Sequence, residues 1–212
     1  MSRAAAELAE PIETSLRGRI LRAAFEAFME HGYFGASTLD IATRARVSKR
    51  DIYAQFGSKQ AMLAACIAAR TARMRLPLDL PAPRNLAGLV ATLVAFGATL
   101  VREVARPEVL ATHRLAILEA ERAPDMARTL DELGRAATHA ALAKCLADAQ
   151  AAGLLGPGRP EEMAETFLAV LWSGGLLLRL LLRLAGPPDE AEAERRACRA
   201  ADAVLRLYAA VG

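Results

Sequence analysis

A short segment in the first third of the chain carries side chains that suit contact with a nucleic acid. It contains two cations, a phenol and an amide, at Lys49, Arg50, Tyr53 and Gln55. Arginine and lysine pair with guanine, glutamine pairs with adenine, and hydroxyl groups bind phosphates. Ile52 and Phe56 stand four residues apart, so on a helix both would face inward and leave the polar set outward. This pattern predicts a surface that contacts double-stranded DNA.

Residues that could perform catalysis or bind a metal form no recognisable set. The three histidines are His31, His113 and His139. None has a glutamate three residues before it, as helical di-iron sites require. The sequence contains no HExxH, G-x-S-x-G or G-x-x-x-x-G-K-[ST] motif. We therefore predict no catalytic residue, no metal and no cofactor, and hence no enzyme.

The cysteines indicate the compartment. They lie far apart in the sequence, at Cys66, Cys145 and Cys198. This spacing does not suit a zinc site or a disulfide scaffold, and scattered thiols are typical of a reducing cytosol. No uncharged stretch reaches the length of about 18 residues that a transmembrane helix needs. We predict a cytoplasmic protein without a membrane partner.

Four predicted helices would position the polar segment. Apolar periodicity places them at about 15–31, 37–45, 48–56 and 59–75. Gly32 and Gly57 suit the ends of the first and third helices. The chain is 54% apolar, rich in Ala and Leu, and poor in β-branched runs, which predicts an all-α fold. Residues 1–13 are expected to be a flexible tail.

Two of these helices begin with the same type of sequence. Ser37 precedes Asp40, and Ser48 precedes Asp51, by the three residues that a capping box requires. In such a box the serine oxygen accepts from the third residue's N–H, and the carboxylate accepts from the serine N–H. Asp51 would therefore turn back to Ser48 instead of facing the DNA and repelling it. Ser58 is predicted to cap the fourth helix.

Two short helices joined by a tight turn, behind a supporting helix, form a helix-turn-helix, here predicted over 37–56. The second helix of such a pair enters the major groove. Residues 1–75 contain twelve Lys and Arg against seven Asp and Glu, a net charge of +5, whereas the remainder carries −2. Ser37 and Lys59 also lie at helix N-termini, where backbone N–H groups attract phosphate. These features favour an anionic partner for the first third.

The second half is predicted to be a separate helical bundle. A proline-rich segment over 76–83 marks the boundary, so the predicted domains are 14–74 and 84–212. Long Ala- and Leu-rich helices are expected at about 84–105, 107–122, 124–152, 160–185 and 189–210. The first domain would bind DNA, and the second would bind a ligand and a second copy of the chain.

The first domain resembles TetR-type transcriptional regulators. The resemblance rests on Arg17-x-x-Ile20-Leu21-x-Ala23-Ala24-x-x-x-Phe28-x-x-x-Gly32-Tyr33, on Asp40-Ile41-Ala42, and on Val47-Ser48-Lys49-Arg50-Asp51-Ile52-Tyr53-x-x-Phe56-x-Ser58-Lys59-x-x-Met62-Leu63. It implies a homodimeric regulator, usually a repressor, that binds an operator and responds to a small molecule. The second half is similar to the AefR-like subgroup through Phe96-Gly97, Arg106-Pro107-Glu108, Arg114-Leu115 and Glu119-Ala120-Glu121-Arg122-x-Pro124.

The turn of the motif departs from that family pattern. Arg46 stands where the family usually has glycine, and a left-handed backbone there would cost about 1 kcal/mol. Arg46 could compensate by reaching a phosphate, or the turn could differ. Ala54 replaces a larger polar residue, so one backbone contact could be missing. The predicted DNA-binding residues are Ser37, Arg46, Ser48, Lys49, Arg50, Tyr53, Gln55 and Lys59.

The second half offers candidates for a ligand site and a dimer interface. The effector is expected to be hydrophobic or amphipathic, because the bundle supplies many Leu and Ala residues and few polar ones. The candidate lining is Phe96, His113, Phe167 and Trp172. Core packing is the default role for aromatic residues at helical spacing, and a satisfied core or surface histidine is the favoured alternative for His113. The last two predicted helices carry apolar surface for a partner. The candidate interface is Leu176, Leu180, Leu184, Val204, Leu205 and Tyr208.

Two functions remain open from the sequence. The first is a dimeric, sequence-specific DNA-binding regulator, a repressor released by a small, largely hydrophobic effector. The second is a soluble helical-bundle carrier or enzyme whose basic segment is incidental. The capped helix-turn-helix favours the first, and the lack of an assembled nucleophile, base or metal set weighs against an enzyme.

Overall fold

The computed structural model of the chain describes residues 15–79, 82–122 and 124–210. Within these ranges every regular element is helical, which confirms the predicted all-α fold class. The tail expected at residues 1–13 lies outside the described residues.

The first helices follow one another closely. They are α1 (Leu16–Gly35), α2 (Thr38–Ala45), α3 (Lys49–Phe56) and α4 (Lys59–Arg75). The later helices are α5 (Leu86–Val104), α6 (Pro107–Leu118), α7 (Pro124–Leu130), α8 (Ala137–Ala151), α9 (Pro160–Leu171), α10 (Leu176–Leu181) and α11 (Glu190–Leu207). A π-helical segment, Asp131–Ala136, joins α7 to α8.

Contacts between residues divide the chain into two compact units. The first contains α1 to α3, most of α4, and Leu115–Leu130. The second contains Arg70–Arg114 and the helices from Asp131 onward. The limits 14–74 for a DNA-binding domain and 84–212 for a ligand-binding and dimerisation domain stay a prediction.

An apolar stripe on each of the first helices builds the core of the first unit. The largest fully buried side chains are Ile20, Phe28, Ile41, Ile52 and Met62. Burial of one such side chain contributes about 1.5–3 kcal/mol, so this small core holds the short helices α2 and α3. Neither is long enough to be stable alone in water, since isolated helices need more than about 12 residues.

The second unit is built around α5, which packs along α11, while α9 packs against α8 and α11. The rings of Phe96 and Phe167 are fully buried, with centroids 5.9 Å apart. Gly97 lets α5 approach α11 closely, because a Cβ atom there would lie only 2.9 Å from the Cβ of Ala197. The core therefore depends on small residues at the crossing of these two helices.

The prediction of a single helix over 160–185 is wrong. Helix α9 ends at Leu171, a short 3-10 turn spans Ser173–Gly175, and α10 begins at Leu176. Gly174 and Gly175 have φ angles of 71° and 65°, a left-handed conformation that a right-handed helix cannot include. Apolar residues continue on both sides of the break, so periodicity alone did not reveal it.

Two stretches of the described residues are long and apolar enough to cross a membrane, Leu86–Val104 and Pro160–Leu181. Core helices pass the same test, and α5 is one, because Leu89, Leu93 and Phe96 are fully buried. The second stretch is not one continuous helix, since it includes the break between α9 and α10.

Candidate nucleic-acid interface

Helix α3 begins with a complete capping box. The Ser48 hydroxyl accepts from the N–H of Asp51 at 3.1 Å, and the Ser48 N–H donates to Oδ2 of Asp51 at 2.9 Å. The Ser48 hydroxyl also donates to that carboxylate at 2.7 Å. These bonds lower the pKa of Asp51, the side-chain hydrogen bond from Ser48 being the largest cause. The box predicted from the sequence is confirmed, and Asp51 turns back to its own helix.

The faces of α3 are divided as the sequence indicates. Ile52 is fully buried, whereas Lys49, Arg50, Tyr53 and Gln55 are exposed. Phe56 is half-buried and carries the Arg17 guanidinium 4.5 Å above its ring centre. Nη1 of Arg17 also donates to the Gln55 carbonyl at 3.3 Å. The sequence analysis missed this contact, because a cation on one helix and an aromatic ring on another show no fixed spacing.

The turn between α2 and α3 has a left-handed backbone at Arg46, although arginine stands there instead of glycine. Arg46 has φ 54° and ψ 52°, and its N–H donates to the Thr43 carbonyl at 3.2 Å. The Val47 N–H donates to the Ala42 carbonyl at 3.0 Å, which closes the end of α2. The Arg46 side chain is exposed to solvent in this turn.

Only half of the capping box predicted at the start of α2 forms. The Ser37 hydroxyl accepts from the Asp40 N–H at 3.0 Å, as expected. The Asp40 carboxylate does not complete the predicted box; it accepts from Nε of Arg44 at 3.0 and 2.9 Å, one turn along. Arg44 also binds Glu30 of α1 at 2.7 Å, so the competing cation ties α2 to α1. Hydrogen bonds from Asp40 and then Glu30 raise the pKa of Arg44.

The Lys59 ammonium points inward. It donates to the carbonyls of Tyr33 at 2.7 Å and Ala36 at 3.3 Å, and lies 4.7 Å from the centre of the Tyr33 ring. Burial lowers the pKa of Lys59. The charged end of the Lys59 side chain is therefore engaged within the protein, and a phosphate contact at this helix N-terminus stays a prediction.

The candidate ligand residues differ in their burial. Phe96 and Phe167 pack against each other in the core of the second unit, and Trp172 is half-buried against that core. His113 is also half-buried, and its Nδ1 lies 2.9 Å from the Val109 carbonyl of its own helix. The structure thus gives two of the four residues a packing role.

Three of the candidate dimer residues are placed differently from the expectation. Leu176, Leu180 and Val204 are buried in the chain's own core, so they present no surface to a partner. Leu184 is exposed, and Leu205 and Tyr208 are half-buried. Leu178 of α10, Leu182 directly after that helix and Leu207 of α11 are also exposed. Helix α10 ends at Leu181, so Leu184 lies beyond the helix that carries Leu176 and Leu180, and the three residues do not form the predicted stripe.

Among the residues that the structure describes, no three His, Cys, Asp or Glu side chains lie close enough together to hold a metal ion. The arrangement that remains is a capped, solvent-facing helix with two cations, a phenol and an amide on one face. Such a helix can enter the major groove of DNA, with its N-terminal residues at the base edges.

Comparison with known proteins identifies the family. The model described as bacterial regulatory proteins, tetR family, matches residues 20–66, and the AefR-like transcriptional repressor C-terminal domain matches residues 91–210. The solved structure of the flavonoid-responsive regulator FrrA is 32% identical, with 91% of this chain and 96% of that chain covered and a TM-score of 0.71. A TetR regulator from Agrobacterium tumefaciens is 28% identical over 92% and 95% of the two chains, with a TM-score of 0.74.

A TetR-family regulator from Mesorhizobium loti MAFF303099 shares the fold at 24% identity, with 98% and 99% of the chains covered and a TM-score of 0.70. No curated protein matches the chain. The C-terminal family match alone spans more than half of the sequence. The chain therefore belongs to the TetR family of bacterial transcriptional regulators, with an AefR-like C-terminal domain.

Proposed function

We propose that this regulator is a homodimer that binds an operator through α3 and acts as a repressor released by a small, largely hydrophobic effector. The observation that carries the DNA-binding part is the exposed set on α3, held by the capping box at one end and by Ile52 in the core. Lys49, Arg50 and Gln55 are proposed to read or contact bases, and Tyr53 a phosphate. A regulator of this class works in the cytoplasm and catalyses no reaction.

The test is binding to the intergenic DNA upstream of the protein's own gene, compared with unrelated DNA of equal length. We expect retardation of the first at moderate salt and much weaker retardation of the second. Lys49→Ala should reduce the slope of log affinity against log salt by about 0.9 if Lys49 contacts a phosphate. If it reads a base, Lys49→Ala should cost about 1–3 kcal/mol and relax one position of the site.

Arg199→Ala is the matched control, because Arg199 is an exposed cation on α11 of the second unit. It should leave DNA affinity unchanged. The assignment of α3 as the recognition helix is wrong if Lys49→Ala and Tyr53→Ala both bind the operator as tightly as the unaltered protein.

The effector proposal is supported by the apolar second unit and by one relative. FrrA, which is 32% identical, is named as flavonoid-responsive. Flat aromatic compounds with a few hydroxyl groups are therefore the first to try, with Trp172 and His113 as half-buried candidates for contact. Coupling of about 1–3 kcal/mol between effector and DNA would change DNA affinity by about 5–150-fold.

A panel of flavonoids and other hydrophobic compounds is measured for two effects, a rise in melting temperature and release of operator DNA. A compound that does both supports the proposal. A panel that does neither, together with an experimental structure that has no cavity near Trp172 and His113, would leave a regulator controlled by its own abundance.

A further inference from the structure

The peptide between α1 and α2 leaves several carbonyl groups without helical partners. Gly32, at φ 72°, ends the regular part of α1, and the chain then turns through Tyr33–Ala36 before the Ser37 cap. Ala36 is only 1% exposed, so its carbonyl is turned away from bulk water. Buried carbonyls require a donor, because an unpaired one costs as much as a lost hydrogen bond. The start of α2 therefore depends on what binds this turn.

Lys59, the first residue of α4, supplies that donor. Its Nζ atom lies 2.7 Å from the Tyr33 oxygen, 3.3 Å from the Ala36 oxygen and 3.5 Å from the Phe34 oxygen. An ammonium has three N–H donors and no acceptor, so three carbonyls around one nitrogen match its capacity. The Tyr33 ring faces the same ammonium at 4.7 Å and adds a cation–π contact.

The contact joins two points that matter for DNA reading. Ala36 directly precedes Ser37, whose hydroxyl caps α2, and α2 leads through the Arg46 turn to α3. We propose that Lys59 is a positioning residue for the helix-turn-helix, whose ammonium ties the start of α4 to the carbonyls that precede α2. A displacement of the first turn of α4 would then carry the start of α2 with it. This inference rests on the proposed DNA-binding function.

The competing role for Lys59 is a phosphate contact at the N-terminus of α4, and salt dependence separates the two. A lysine that neutralises a phosphate contributes about 0.9 to the salt slope, whereas a lysine bound to internal carbonyls contributes nothing. We compare Lys59→Met with Lys49→Met, the matched control on the exposed face of α3. Both are measured well below their melting temperatures, so that unfolded protein does not account for weaker binding.

We expect Lys59→Met to weaken operator binding by about tenfold or more with the salt slope unchanged. Amide hydrogen exchange in the first turn of α2, Ser37–Ile41, should accelerate by a similar factor in the free protein. Lys49→Met should leave that exchange unchanged. A salt slope that falls by about 0.9 in Lys59→Met, with exchange at α2 unaltered, overturns the proposal in favour of a phosphate contact.

Chemical rescue tests the ammonium itself. Lys59→Cys is made in a Cys198→Ser background, since Cys66 and Cys145 are buried and Cys198 is the exposed thiol among the described cysteines. Alkylation with bromoethylamine restores an ammonium at nearly the lysine length, and should restore both operator affinity and slow exchange at α2. Neutral alkylation with iodoacetamide should restore neither, and recovery by the neutral group would contradict the proposal.

A second variant and a readout without DNA cover a Lys59→Met protein that does not fold and an unaltered protein that binds no DNA. If Lys59→Met does not fold, Lys59→Arg replaces it: a guanidinium can still meet a phosphate but cannot place three donors of one nitrogen on three carbonyls. We expect Lys59→Arg to bind weakly with a full salt slope, and wild-type affinity would count against the proposal. If the unaltered protein binds no DNA, the proposed function fails, while hydrogen exchange in the free protein still decides the role of Lys59.

Discussion

Asp51 shows how one carboxylate can stand on the proposed recognition helix. Its oxygen accepts hydrogen bonds from the Ser48 N–H and hydroxyl, so its charge is directed to the first turn of α3. A carboxylate near a helix N-terminus also interacts favourably with the helix dipole. The negative charge therefore stabilises the helix that presents the cations Lys49 and Arg50.

This role gives a pH-dependent contribution to stability. The hydrogen bonds hold the pKa of Asp51 below its ordinary value of about 3.9. A lowered pKa in the folded state stabilises the protein above the unfolded pKa, and the effect is lost as the pH falls through the folded value. Asp51→Asn should therefore melt at a lower temperature than the unaltered protein near pH 7, and the difference should shrink below about pH 4. A difference that stays constant in melting curves down to about pH 3 would contradict this.

Arg46 combines a strained backbone with an exposed cation, and substitution separates the two. Arg46→Gly should relieve left-handed strain of about 1 kcal/mol, partly offset by the greater freedom of glycine in the unfolded chain. Chemical denaturation should show little change in the free energy of unfolding. Operator affinity should fall, with a salt slope smaller by about 0.9, because we expect Arg46 to reach a phosphate. Arg46→Lys retains the charge and should retain the slope; an unchanged slope in Arg46→Gly would exclude the contact.

Residue types and spacing were sufficient for parts of this site and insufficient for others. The Ser48–Asp51 box and the outward set on α3 depend on neighbours within one helix, so the sequence predicts them. The partner of Arg17 lies 38 residues away in the sequence, and the partners of Lys59 lie 23 to 26 residues away. Such contacts follow only from the packing of helices. The Asp40 carboxylate had two local donors to choose from, the Ser37 N–H of the predicted box and the Arg44 guanidinium. It accepts from Arg44, whose positive charge makes the hydrogen bond stronger.

The element scale shows the same division. Helices α1 to α4 were predicted within a few residues, because each begins or ends at a serine cap or a glycine. The break at Ser173–Gly175 was missed, since the apolar pattern continues through it and glycine is also accepted inside helices. Beyond the break, Leu176 and Leu180 are buried, whereas Leu178 and Leu182 are exposed.

The crossing of α5 and α11 should be sensitive to a single methyl group. A Cβ at position 97 would lie 2.9 Å from the Cβ and 3.2 Å from the Cα of Ala197, and the backbone atom cannot move without shifting α11. Gly97→Ala should therefore reduce the free energy of unfolding by about 1–3 kcal/mol. Gly186→Ala is the matched control, because a Cβ there meets open space. Chemical denaturation of the two variants checks this, and equal stability would show that the crossing tolerates the methyl group.

At the scale of the whole molecule, the net charge is distributed unevenly along the chain. The net charge of +5 lies in residues 1–75, with the DNA-facing set, and the remainder carries −2. The exposed Leu178 lies in that remainder, on helix α10, whose last carbonyls, Leu180 and Leu181, each accept from Arg114 at 2.8 Å. The uneven charge favours residues 1–75 as the part that meets DNA, and a second copy of the chain is proposed to bind the remainder.

The last prediction concerns that second copy. Leu178 of α10 and Leu182, the residue that follows α10, are 60% and 59% exposed. The Leu182 N–H donates to the Leu178 carbonyl at 2.9 Å, so the two residues lie one turn apart. Adjacent exposed leucines are typical of an interface. Leu178→Glu combined with Leu182→Glu should therefore convert the dimer to a monomer of 22.6 kDa in sedimentation at micromolar concentration. Leu86→Glu, at a leucine that is 50% exposed on α5, is the matched control and should leave the dimer intact.

Loss of the dimer should also weaken operator binding while α3 stays unaltered. Two recognition helices read half-sites about 34 Å apart, one turn of DNA, and a monomer can occupy only one of them. The double variant should thus bind a single half-site as the unaltered protein does, but lose its preference for the full operator. An unaltered protein that sediments as a monomer would refute the dimer. A double variant that remains dimeric would place the interface on other residues, and Leu184 and Leu207 are exposed candidates near the C-terminal end of the chain.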